Sequence, residues 1–241
     1  MTQIDRRTVL RQAGVAAGLA AVGTVAAGAV PAAGTPLRSG VSAPAYPTPH
    51  EALTLLKEGN DRFVAGEMTH PNQDPARRKE VAAGQEPFAV VFSCIDSRVP
   101  PEIVFDRGLG DLFVIRTGAQ DYDCLIEGSV EYGPVLDHTP LIVVMGHQRC
   151  GAVAAAVNAL ESGTTPAPNL DAVVQSLSLA YAVAKKTGAG DLVEATVRAQ
   201  IRLTARALRR DPAPRPNIAR GMLTVVGAYY SLETGEVSWQ P

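Results

Sequence analysis

Two short stretches of the 241-residue chain carry side chains whose types and spacing suit metal chemistry: Cys94-Ile95-Asp96-Ser97-Arg98, and Gly146-His147-Gln148-Arg149-Cys150-Gly151. A single cysteine after an apolar run is an ordinary small hydrophobe, and His-x-x-Cys alone is a weak signal. Together they supply two thiolates and one imidazole, which is a zinc set with its fourth position open, the ligand count of a catalytic site rather than a structural one. Asp96 is the candidate for that fourth position, either as a ligand or as an acceptor for a metal-bound water. Arg98, two residues on, is placed to pair with its carboxylate and hold it off the metal. Cys124 has no comparable context and reads as a packed free thiol.

These residues act together only if the fold brings them together, and the hydrophobic pattern indicates how. Phe88 to Cys94, Leu112 to Ile115 and Leu141 to Met145 are apolar runs of strand length, the pattern of a parallel sheet covered on both faces. Helical patterns lie between and after them: a short one after Pro100, then about Leu125 to Leu136, Cys150 to Leu160, Asp171 to Lys186 and Asp191 to Arg210. The expected fold class is therefore α/β, with a central, mainly parallel sheet flanked by helices. Cys94 and His147 both fall at or just past strand ends, and in a parallel sheet those ends converge on one ligand-binding crevice.

An N-terminal helical arm is expected to open at Thr48-Pro49-His50-Glu51, a capping residue followed by Pro and Glu, with Leu53, Leu56 and Phe63 on one face. His70 to Arg78 reads as a polar, proline-broken loop. Met222 to Tyr230 and Val237 to Trp239, joined across Glu233-Thr234-Gly235, read as a closing hairpin.

The segment before the arm is of a different kind. Asp5-Arg6-Arg7-Thr8-Val9-Leu10-Arg11 precedes an Ala- and Gly-rich apolar run, so residues 1–32 are expected to be a twin-arginine (Tat) export signal, 33–47 a linker and 48–241 the folded domain. Three cysteines cannot form a complete disulfide framework, and export of an already folded chain lets thiolates take up metal before they meet an oxidising compartment. The expected location is outside the cytoplasm: extracellular, periplasmic or cell-wall associated. Composition points to a small-molecule substrate. The chain is 46% hydrophobic with a formal net charge of -2, so no basic surface indicates nucleic acid. Arg198, Arg202, Arg206 and Arg209 lie among acidic residues and read as a solvated helix face.

Cys94-x-Asp96-Ser97-Arg98, Gly110 to Arg116, Ser129-Val130-Glu131-Tyr132 and Gly146-His147-x-x-Cys150-Gly151-Ala152 resemble, in order and spacing, the β-class carbonic anhydrases, over about residues 49 to 239. The resemblance implies one Zn2+ per subunit on Cys94, His147 and Cys150, with Asp96 and Arg98 as the gating and orienting pair. It implies reversible hydration of carbon dioxide to bicarbonate and a proton by a zinc-bound hydroxide, in a homodimer or higher homo-oligomer. Gln85 then matches a substrate-side hydrogen-bond donor, while Phe113 and Tyr132 match pocket walls that the neighbouring subunit can supply; Gly118 and Gly151 line the same pocket. The chain departs from the family pattern at Thr117-Gly118-Ala119-Gln120, where the small pair usually runs Ala-Gly. A carbon disulfide or carbonyl sulfide hydrolase and a non-catalytic zinc protein are the alternative readings.

Overall fold

The computed structural model describes residues 46–164 and 167–240; the export signal and nearly all of the linker expected before residue 48 lie outside the described residues. Helix α1 (Pro49–Ala65) starts where the capping box places it. The Thr48 side chain accepts from Glu51 N–H at 3.3 Å, and Glu51 Oε2 accepts from Thr48 N–H at 2.7 Å. Leu56 is fully buried, with Leu53 and Phe63 packed beside it, the face expected from their spacing.

The loop expected at 70–78 instead contains a short helix, α2 (Pro75–Glu80). Asp74 caps it by accepting from Ala76 and Arg77 N–H at 2.7 and 2.9 Å, and Pro75 occupies the first position. Its polar composition hides a cap followed by proline, the same start that opens α1.

Then follow β1 (Ala89–Cys94), α3 (Pro101–Val104), β2 (Leu112–Thr117), a 3-10 turn (Gly118–Gln120), α4 (Cys124–Leu136) and β3 (Leu141–His147). The chain continues through α5 (Gly151–Ser162), α6 (Leu170–Lys185), α7 (Leu192–Arg210), α8 (Arg215–Ala219), β4 (Thr224–Tyr230) and β5 (Val237–Gln240). The sheet order is β2-β1-β3-β4-β5, parallel except for the final hairpin strand β5.

β1 and β3 are buried along their whole length, as runs apolar on both faces require. Ala89, Val91, Val143 and Met145 face one layer with α1 and α3, while Val90, Phe92, Ile142 and Val144 face the other with α4 and α7. Gly146 allows the second layer to close over the end of β3, because a Cβ there would stand 2.7 Å from the Ile201 side chain of α7. Among the described residues no helix is long and apolar enough to cross a membrane.

The strand order fixes the location of the crevice. From β1 the chain moves to β2 on one side, then crosses back over β1 to β3 on the other. Loops leaving β1 and β3 therefore diverge at their C-terminal ends, which makes this the topological switch point of the sheet.

Candidate metal centre

Cys94 is the last residue of β1, His147 the last of β3, and Cys150 the residue that starts α5. Their ligand atoms lie within 4.8 Å of one another, and all three side chains are buried. The His147 Nδ1 edge faces the Gln148 carbonyl at 3.0 Å, which assigns the proton to Nδ1 and leaves the Nε2 lone pair toward the cysteines. That Nε2 is buried without a hydrogen-bond partner. An orphaned buried imidazole nitrogen between two thiols is costly unless something positive lies there.

The sulfurs are 3.8 Å apart. Two thiolates on a tetrahedral zinc, at about 2.3 Å each, are separated by about 3.8 Å, so the pair is already at ligand spacing. As bare thiols they share one proton. Cys94 is pulled down by the hydrogen bond from Cys150, with help from the backbone N–H groups of Ala119 and Asp96, while Cys150 is pushed far up by that same bond and by burial. A divalent cation removes this conflict, because it allows both thiols to ionise. The donor set fits zinc.

Asp96 stands beside this group and not within it. Its Oδ2 is 3.9 Å from His147 Nε2, and Arg98 holds the carboxylate in a fork, with Nε on Oδ1 at 2.9 Å and Nη2 on Oδ2 at 2.7 Å. The Arg98 backbone N–H adds a third bond at 3.0 Å. The Arg98 side chain outweighs burial and holds the Asp96 carboxyl well below the usual carboxylate range, so it is ionised throughout the physiological range.

The other expected site residues are placed less centrally. Gly118 opens the turn after β2, where a Cβ would be 3.8 Å from Ala152 and 3.9 Å from Val173, and Gly151 follows Cys150. Gln85 is exposed on the loop before β1. Phe113 pairs with Val90, four residues upstream of Cys94, and stacks edge-on against half-exposed Tyr132 at 5.6 Å. Those two rings line an apolar hollow of about 450 Å3 that contains none of the three ligand residues. Cys124 is not a packed thiol: it is exposed and lines that hollow, because the first position of an Asp123-capped helix points outward.

A second hollow, of about 1030 Å3, also lacks the three ligand residues. Its chief polar groups satisfy one another, Arg198 and Tyr229 both binding Glu194, so donor chemistry rather than volume marks the site.

One contribution was invisible in the sequence. Leu232 N–H donates to Gln148 Oε1 at 3.1 Å, and Arg149 donates to Glu233 at 2.9 Å, tying the metal loop to the β4–β5 turn. Residues 84 positions apart leave no spacing signal.

The carbonic anhydrase family model matches residues 89–237, which span strands β1 to β4 and every residue of the cluster. The chain belongs to the β-class carbonic anhydrases. It is 43% identical over 187 residues to carbonic anhydrase 2 of Mycobacterium tuberculosis, covering 78% of this chain and 90% of that one. It is 40% identical over 189 residues to the carbonic anhydrase of Mycolicibacterium smegmatis, covering 78% and 92%. Among solved structures, the β-carbonic anhydrase CcaA superposes with a TM-score of 0.63 at 26% identity, covering 78% of this chain and 87% of that one. A pair of tetrameric β-carbonic anhydrases from Sordaria macrospora superposes at 0.60 and 27% identity, covering 79% and 95%. This carbonic anhydrase thus has the fold expected for its class, with its Cys-His-Cys cluster at the switch point.

Proposed function

We propose that this enzyme hydrates carbon dioxide reversibly to bicarbonate and a proton, using one zinc held by Cys94, His147 and Cys150. The observation that carries the reading is the buried cluster itself: two sulfurs at ligand spacing facing an imidazole nitrogen with no other partner. Zinc in this set supplies Lewis acidity that brings the pKa of water from about 15.7 toward neutrality.

The chain's own groups do the rest. Asp96 stays ionised in the Arg98 fork and accepts the hydrogen bond that orients the attacking water toward carbon dioxide. Arg98 occupies both carboxylate oxygens and so keeps Asp96 from closing onto the metal. The backbone N–H groups of Ala119 and Asp96, with the first turn of α5 behind Cys150, stabilise the thiolates. The proton leaves to solvent.

Gln85, Phe113 and Tyr132 are assigned as substrate-side residues in a homodimer or higher homo-oligomer. Asp5-Arg6-Arg7 with the apolar run after it is assigned to export through the Tat machinery, to a location beyond the cytoplasm.

Metal analysis paired with stopped-flow hydration, run beside carbonyl sulfide and carbon disulfide, tests the assignment. One zinc per chain is expected, with Cys94→Ser and Cys150→Ser losing metal and at least 100-fold of activity together. Full activity in a metal-free preparation would overturn it.

A further inference from the structure

We propose that Arg116 is a positioning residue that sets the backbone geometry between Cys94 and Asp96, and with it the placement of the orienting carboxylate relative to the metal. The inference rests on the metal-centre reading above. In the parallel pairing of β1 and β2, Arg116 stands opposite Ser93 and Thr117 opposite Cys94. From there the half-buried guanidinium crosses the exit of β1. Its Nε donates to the Cys94 carbonyl at 2.8 Å and its Nη2 to the Asp96 carbonyl at 2.6 Å.

Between these two bonds, Ile95 N–H donates to the Thr117 carbonyl at 3.0 Å. Three successive residues leaving the strand are thus held by β2, two of them through one side chain. The Asp96 carbonyl also accepts Val99 N–H at 3.0 Å, closing the turn that returns Arg98 to the carboxylate. Two arginines therefore control two different freedoms of Asp96: Arg98 sets the rotation of its carboxylate, and Arg116 sets the path of its backbone.

The chemistry selects arginine for this task. Nε and Nη2 lie on one edge of a rigid plane, so the spacing of the two carbonyls is imposed by covalent geometry. A lysine keeps the charge but brings a single flexible head, which meets one carbonyl and leaves the other short of a donor. Once that happens the Ile95-Asp96 peptide is free to rotate, and Oδ2 leaves its place 3.9 Å from His147 Nε2. Misplacement of an orienting group by an ångström costs rate on the order of 100-fold.

The full chain carrying Arg116→Lys, and a second carrying Arg116→Gln, are compared with the wild type in three ways. For Arg116→Lys, kcat is expected to fall at least tenfold with KM within twofold. Amides of residues 95–99 are expected to exchange at least ten times faster while those of β3 are unchanged. The absorption bands of the cobalt-loaded protein are expected to shift, showing altered thiolate geometry in a folded chain. Arg116→Gln is expected to follow in the same direction. Wild-type kcat with unchanged exchange at 95–99 would overturn the proposal. So would exchange rising evenly across the sheet, or failure of both variants to fold, since either makes Arg116 a general structural residue. If the wild type itself bound no zinc and hydrated no carbon dioxide, the functional reading would fall. The exchange comparison at 95–99 would still decide whether Arg116 holds that backbone.

Discussion

Asp106 follows α3 at a φ of 45°, a left-handed conformation that aspartate tolerates better than most residues, with its carboxylate fully buried. Thr69 N–H and Oγ1–H, His70 N–H and Arg62 Nε–H all donate to it, at 3.0, 3.1, 2.9 and 2.6 Å. Burial disfavours the charge, but these donors outweigh it and hold the pKa at about 2 instead of 3.8. A depressed carboxyl stabilises the fold above its unfolded pKa and loses that contribution as pH falls through its folded one. Stability should therefore be level above about pH 5 and decline toward pH 2. Asp106→Asn is expected to cost about 2 kcal/mol at pH 7 and to flatten that acid slope, as measured by urea midpoints across the range. An equally steep slope in the variant would show that other groups cause it.

At the scale of elements, the turn after β2 carries strain that its sequence order explains. Ala119 and Gln120 sit at φ of 56° and 44°, both buried, whereas Gly118 beside them does not need the left-handed region. A Cβ at left-handed φ costs about 1 kcal/mol or more, and glycine removes that cost. A methyl at residue 118 would meet Ala152 and Val173 only at ordinary contact distances of 3.8 and 3.9 Å. The double variant Gly118→Ala, Ala119→Gly, which restores the small pair usual in the family, is expected to gain about 1 kcal/mol and to raise Tm by roughly 3 °C in calorimetry. A lowered Tm would mean that Gly118 is required for space that these distances do not reveal. This departure from the family pattern was legible in the sequence, but its energetic sign depends on which of the two positions takes positive φ.

For the whole molecule, β2 is an edge strand, and beside it lies the apolar hollow of Phe113, Ile115, Leu125 and Tyr132. Leu125 is 74% exposed and Leu136 is 69% exposed. An unpaired edge beside exposed large apolar side chains is a surface suited to a second copy of the chain. Leu125→Asp is expected to lower the oligomeric state in light scattering while leaving the zinc content unchanged; an unchanged mass would place the interface elsewhere. Export is tested at the other end of the chain. Replacing Arg6 and Arg7 with lysine is expected to retain the protein in the cytoplasm, and unchanged secretion would show that the leader is not of the twin-arginine type.

Fold class, strand positions and the candidate donors Cys94, His147 and Cys150 were legible in the sequence alone, because hydrophobic period, caps and ligand chemistry are local properties. Asp74 and Pro75 carry the same local cap pattern as α1, but their short helix has no apolar face to give it a period. The tertiary structure alone decided the rest. Strand order β2-β1-β3 brings the ends of β1 and β3 together, so residues 56 positions apart become sulfurs at 3.8 Å. It likewise turned Cys124 outward and carried Arg116 across to the carbonyls of Cys94 and Asp96, 22 and 20 residues before it in sequence, whereas the Asp96–Arg98 pair was legible from its local spacing. The physical reason is that sheet register and side-chain direction arise from burying the whole core at once, and no window of residues contains that information.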